Sequence, residues 1–334
     1  MGSFLKLLSV ENTKLWKRFS TKLMILILAA VIIGLCGLQK LSMDMVKNSP
    51  DYSNKTSQSE TVDWKQQLNS TDAAMQAQID SMEKSKVFSQ KNSLDNLKKQ
   101  LAENKYYLEH NQKPPESELD NFWDVMTGMG VWQLVALLAI IACTALIAGE
   151  FSESTMKTMI SRPFARWQIL TAKFISVFIY SLVLTIVSYL SSIIATALFF
   201  STKGLDKGVL LWIGGNIVNV PGFAASLITF GMGFLSALVY IIFTFALSAV
   251  TRSRALATGL AIFLMFGGTF TALLAYNFSW GKYIFFADTN FSSFLTNGAP
   301  FYGISLSLAL IICAVYCIAF FFAGYFTFAK RDIS

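Results

Sequence analysis

Charge is what this sequence lacks. Asp, Glu, Lys and Arg make up 14% of its 334 residues, while 54% are hydrophobic. Six stretches carry none of the four for long enough to cross about 30 Å of hydrocarbon. They are 23–39, 125–149, 174–200, 222–250, 255–278 and 301–329. A mean hydropathy of +0.51 agrees. This composition excludes an ordinary water-soluble domain and points to an integral membrane protein. Histidine is missing from the spans as well, since the single one is His110. Proton relays and secondary transporters usually need ionisable groups at mid-membrane. Ion channels usually need charged rings or carbonyl filters. Neither pattern is here.

Reactive chemistry is equally scarce. The four cysteines, Cys36, Cys143, Cys313 and Cys317, all lie inside apolar stretches, so no disulfide framework is expected. Cys313 and Cys317 share a helix face, but no His or carboxylate lies nearby in sequence, and small packing residues are the plainer reading. No phosphate-binding glycine loop, zinc spacing or nucleophile elbow is present. Enzymatic chemistry, a bound cofactor and a metal are therefore not expected in this chain. The first apolar run is preceded by 22 residues and is followed by no small-x-small site, which suits a retained span rather than a cleaved signal.

What is present is an uneven placement of the remaining charge. With the N-terminus inside, segments 1–22, 150–173, 251–254 and 330–334 hold 13 Lys/Arg against 4 Asp/Glu. The outside segments hold 14 against 16. The positive-inside rule then gives six spans with both termini in the cytoplasm. The expected fold class is an all-α integral membrane protein with six transmembrane helices.

Each segment has its own pattern. Residues 1–22 read as a cytoplasmic interfacial helix, with Phe4, Leu8, Leu15 and Phe19 as an apolar stripe among lysines. The first span is 23–39. Residues 40–124 form a large extracellular insertion. Its apolar repeats (Met75, Ile79, Met82, then Leu94, Leu97, Leu101, Leu108) predict a helical hairpin over about 61–87 and 94–110, with a turn at 88–93. The hairpin could gate or recognise a substrate, or act as a rigid dimerisation or spacer element. Residues 125–329 form a five-span membrane domain, followed by a cytoplasmic tail at 330–334. Ser181, Thr185, Ser188, Ser191 and Ser192, with Thr244 and Ser248, form hydroxyl stripes suited to helix packing or to lining a path. The stretch 214–222 marks a bend, and 279–300 reads as a broken, re-entrant or interfacial external segment.

The most informative segment is 150–173, EFSESTMKTMISRPFARWQILTAK. It is polar, amphipathic and basic, and lies on the cytoplasmic side by the charge count. Thr155, Met159 and Arg162 recur at spacings of 4 and 3 on one helix face, and Pro163 then stops that helix. Glu150, the run 154–157, Ser161-Arg162-Pro163 and Arg166-Trp167 in this order resemble the coupling segment of ATP-binding-cassette transporter permeases of the type-2 exporter class. Ser154 stands where that class usually has glycine. The resemblance implies a permease subunit that forms a translocation path beside a second permease subunit. It also implies a separate cytosolic ABC ATPase subunit that binds ATP and Mg. Glu150, Thr155, Lys157, Arg162, Pro163 and Arg166 would couple the two. The lipid bilayer is the remaining partner, no nucleic acid is expected, and a bacterial plasma membrane fits the composition. A different class stays open, a membrane sensor or scaffold whose external hairpin binds a ligand or protein.

Overall fold

The computed structural model describes residues 2–47, 63–85, 93–115, 121–152, 164–200, 202, 204–275, 278, 280–284, 289–300 and 303–330. The protein is mostly helical. Among these residues five helical segments are long and apolar enough to cross a membrane: Phe19–Met45, Trp132–Phe151, Arg166–Phe199, Gly222–Thr251 and Leu306–Phe328. A further apolar helix, Arg254–Ala275, stands where the span 255–278 was expected.

Helix α1, Gly2–Lys17, meets α2, Phe19–Lys47, at a single non-helical residue, Arg18. The Tyr180 hydroxyl donates to the Thr21 carbonyl at 3.0 Å and fixes this joint. Two polar helices follow, α3, Trp64–Lys84, and α4, Leu94–Glu109. They pack through Ile79, Leu94 and Leu101 with Met75, Met82 and Leu97 around them. Lys98–Glu83 at 2.7 Å and Asn104–Asp72 at 2.7 Å cross the same seam. The turn 88–93 lies mostly outside the described residues.

The expected span 125–149 is divided. A short helix, α5, Phe122–Gly128, is capped by the Asn121 side chain. Gly130 then takes a φ of +59°, and α6 runs Trp132–Leu146. After a break at Ile147 comes α7, Ala148–Ser152. Helix α8, Arg166–Phe199, starts eight residues before the expected span, and Gln168 caps it by accepting from the Ala165 N–H at 3.1 Å.

A short strand pair interrupts the helical fold. Strand β1, Gly208–Ile213, pairs antiparallel with β2, Asn216–Pro221, and β2 with the connecting glycines falls in the stretch 214–222 expected to bend. The connection is Gly214-Gly215 with φ of +61° and +89°. A two-residue turn of that conformation matches the twist of paired strands and almost requires glycine.

Helix α9, Gly222–Thr251, follows directly. Arg252, at φ +53°, separates it from α10, Arg254–Ala275. Helix α11, Phe291–Thr296, and α12, Leu306–Lys330, complete the chain. The interior lies between α6 and α9, both two-thirds buried, whereas α2 and α12 are mostly exposed. Leu26, Phe263, Ile311 and Val315 are each more than 60% exposed on the outer helices, as a hydrocarbon-facing surface requires.

Candidate functional site

Four charged side chains meet at the α1 end of the bundle. Lys173 Nζ lies 2.7 Å from Glu11 and 2.6 Å from Glu150. Lys14 Nζ lies 3.1 Å from Glu11 and 3.2 Å from Glu150. Two cations thus alternate with two carboxylates, and the charges cancel. Lys173 and Glu11 are fully buried and Glu150 nearly so, while Lys14 is 39% exposed. Lys173 also donates to the Leu146 carbonyl at 3.3 Å, which the break after α6 leaves available. Bare burial of a single one of these charges would be prohibitive; mutual pairing is what permits it. Burial disfavours the Lys14 ammonium, but Glu11 and Glu150 outweigh it and hold its pKa above the ordinary lysine value.

The cluster explains why α1 docks as it does. Leu7, Glu11 and Leu15 are the buried face, at spacings of four. Leu7 packs with Ile169 and Ala172 at the start of α8. Trp16 meets Tyr180 edge to face at 5.8 Å. The stripe expected for a membrane-surface helix is rotated: Leu15 is buried, but Phe19 is 77% exposed and opens α2 instead. An acidic residue at the centre of the buried face displaced the hydrophobic reading, because its partner lies 162 positions away.

Of the expected coupling residues, Glu150 is an internal ion-pair partner in α7. Arg166 is the first residue of α8 and is half-buried. Thr155, Lys157, Arg162 and Pro163 lie outside the described residues. The two ends of that segment are nevertheless tied together, since Glu150 and Lys173 flank it and touch each other. Arg252 adds a further contact there, its guanidinium 5.4 Å from the Phe151 ring centre.

A second feature occupies the opposite end. A small slot of about 30 Å³ lies between α6, α8 and α9, lined by Val135, Thr185, Ser188, Thr229, Phe230 and Phe234 among others. Thr185, Ser188 and Thr229 donate back to carbonyls of their own helices, at 3.0, 2.8 and 3.1 Å. The slot wall is therefore apolar with satisfied hydroxyls. It adjoins a vestibule of about 870 Å³ between α4, α5, the β-hairpin and α11, and the two share Thr127, Gly130, Trp132 and Ser292. Helix α11 closes the roof of the bundle, with Phe291, Phe294 and Leu295 buried. It is held below by Ser236, which accepts from the Phe291 N–H at 3.2 Å. The loop that follows it is held above by Asp95, which accepts from the Ala299 N–H at 2.6 Å and from Trp212 Nε1 at 3.1 Å. No group of three or more metal-ligating side chains occurs among the described residues.

Comparison with known proteins decides the family. A family model described as "Protein of unknown function (DUF2705)" matches residues 83–334. The chain belongs to this DUF2705 family. It is also 30% identical over 310 residues to "Uncharacterized protein YhcI" of Bacillus subtilis (strain 168), covering 91% of this chain and 94% of that protein. The assignment to the type-2 ABC exporter permeases is corrected accordingly: DUF2705 is the family that the matches support. The structure supplies a physical reason for the misreading. Glu150 and Lys173, which begin and end the segment that carried the likeness, have an internal explanation as partners of each other and of α1.

Proposed function

We propose that this DUF2705 protein is the membrane-embedded subunit of a transporter, worked by a separate cytosolic ATPase. The observation that carries the proposal is the buried four-charge cluster. It fastens α1, α7 and α8 into one block on both flanks of the basic segment 153–163. Force applied to that segment passes into α6 and α8, which wall the inner slot. A slot that opens on a large vestibule at the far end, with apolar walls, suits passage of a solute rather than storage of charge. ATP and Mg would be bound by the partner. A second copy or a paralogue would complete the path, and the orientation would be that of the charge count, with both termini in the cytoplasm of a bacterial plasma membrane.

The vestibule favours one other reading. A polar cavity walled by an external helical hairpin would also serve a sensor that binds a ligand without moving it. Affinity purification of the tagged chain in mild detergent separates the two. Wild type should bring down a cytosolic ATPase and stimulate its hydrolysis, and Arg162→Glu should weaken both. A folded chain that retains no ATPase would turn the assignment to the sensor.

A further inference from the structure

The vestibule has a chemistry of its own. Its lining is dominated by uncharged hydrogen-bonding groups, with the amides of Asn104, Asn219 and Asn290 and the hydroxyls of Tyr106, Tyr107 and Ser293 among them. Charge there is nearly balanced, with Lys99, Lys113 and Lys207 against Glu103 and Asp124. Much of it is already engaged: Lys99 pairs with Glu103 at 2.8 Å, and Asp124 accepts from Asn121 at 3.0 Å. A site built for an ionised group would instead present convergent like charges. About 870 Å³ lies within the range of small-molecule sites, roughly 300–1,000 Å³.

The floor of the vestibule has the opposite character. Trp132 belongs to both cavities, and beyond it the slot offers Val135, Phe230 and Phe234. At about 30 Å³ the slot admits the tip of an alkyl group and must widen to take more.

We infer that the vestibule and slot form one binding site for an amphipathic small molecule, with an uncharged, hydroxyl- or amide-bearing head group in the vestibule and its apolar end directed at Trp132. Asn104 already donates to Asp72 at 2.7 Å and Asn219 to the Tyr106 hydroxyl at 2.9 Å, so the head group takes the remaining donors and acceptors of these uncharged groups. The apolar end leaves water at the Trp132 ring. Binding of this kind requires no ATPase, and it holds whether the protein moves the ligand or senses it.

Gly128 gives a clean test. It lines the vestibule, and a Cβ added to it meets nothing within 4 Å. Gly128→Trp therefore starts a bulky side chain in open space at the cavity wall and narrows the cavity. Gly34, on α2, has the same open surroundings away from the cavity, so Gly34→Trp is the control. The full chain, reconstituted in lipid nanodiscs, is photolabelled with an octyl glucoside carrying a diazirine on its alkyl tail. The readout is the labelling competed by unlabelled octyl glucoside and mapped by mass spectrometry. Saturable labelling at 126–135 and 229–234 is expected in wild type and in Gly34→Trp. It should fall at least about tenfold in Gly128→Trp. Octyl phosphate and octyltrimethylammonium should compete at least about tenfold less well, and glucose alone should compete weakly. Labelling without saturation, unchanged labelling in a folded Gly128→Trp, or equal competition by the charged octyl compounds would each overturn the inference.

Discussion

Replacing Lys173 by methionine removes a cation that the protein fully encloses. The side chain has no exposure and contacts Glu11 at 2.7 Å and Glu150 at 2.6 Å. Its loss leaves Lys14, itself 39% exposed, facing two buried carboxylates. Breaking a buried ion pair from one side costs about 3–5 kcal/mol, because the abandoned charge keeps its desolvation penalty. Adding Glu11→Leu restores the balance. Lys14 and Glu150 stay paired, and a leucine at 11 continues the face formed by Leu7 and Leu15. The double variant should therefore lose only about 0–2 kcal/mol, since apolar replacement of a buried pair is often neutral. The coupling between the two sites should be about 2–4 kcal/mol, well above the error of independent sites. The assay is reversible unfolding in mixed micelles as the denaturing surfactant is raised, followed by circular dichroism. A double variant as unstable as Lys173→Met, or a Lys173→Met protein within about 1 kcal/mol of wild type, would refute the reasoning.

Three further outcomes follow from named contacts. Asp95→Ala removes a carboxylate that accepts from Trp212 and from the Ala299 N–H, so hydrogen exchange at 297–299 should quicken while α6 and α9 stay protected; unchanged exchange would count against the roof contact. Gly222→Ala drives a methyl into the Trp123 indole and should cost about 1–3 kcal/mol in the same unfolding assay, whereas Gly34→Ala, in open space, should not. Lys14 has a raised pKa in the folded protein, so the stability it contributes is fully present below its unfolded value of 10.5. That contribution is lost as pH rises through the raised value. Lys14→Met should remove the part of the stability loss that sets in above pH 10.5 and leave the slope between neutral pH and 10.5 unchanged, and an identical slope above pH 10.5 in both proteins would contradict the pairing.

Much of the helical frame was legible because apolar runs and heptad-like repeats are local signals. The hairpin helices sit within a few residues of the expected 61–87 and 94–110, since Ile79, Leu94 and Leu101 repeat with helical spacing. The β-hairpin was also local and was passed over. GVLLWI and NIVNVP are apolar, Val- and Ile-containing runs separated by two glycines, the pattern of a tight hairpin turn, whereas the bend reading of 214–222 leaves out GVLLWI. The charge cluster was not local. In the sequence Glu11 is one anion among the lysines of 1–22, and Lys173 stands just before the apolar run 174–200. Their meeting depends on α1 packing across α8, which no spacing in either segment encodes. The same blindness shaped the reading of 150–173. A sequence motif can be matched residue by residue while two of its charged positions belong to the interior.

The central claim is that work done on the basic segment by an ATPase reaches the slot through the fastened α7 and α8. The direct measurement places a single cysteine at Thr185, in the slot wall, after Cys36, Cys143, Cys313 and Cys317 have been replaced. The chain is reconstituted with its co-purified ATPase, and the rate of labelling by a membrane-impermeant thiol reagent is followed with and without ATP. The account predicts a rate that changes with ATP in the otherwise native chain and no longer changes when Lys173→Met is introduced into a chain that still folds and binds the ATPase. A labelling rate indifferent to ATP, with hydrolysis proceeding, would contradict it.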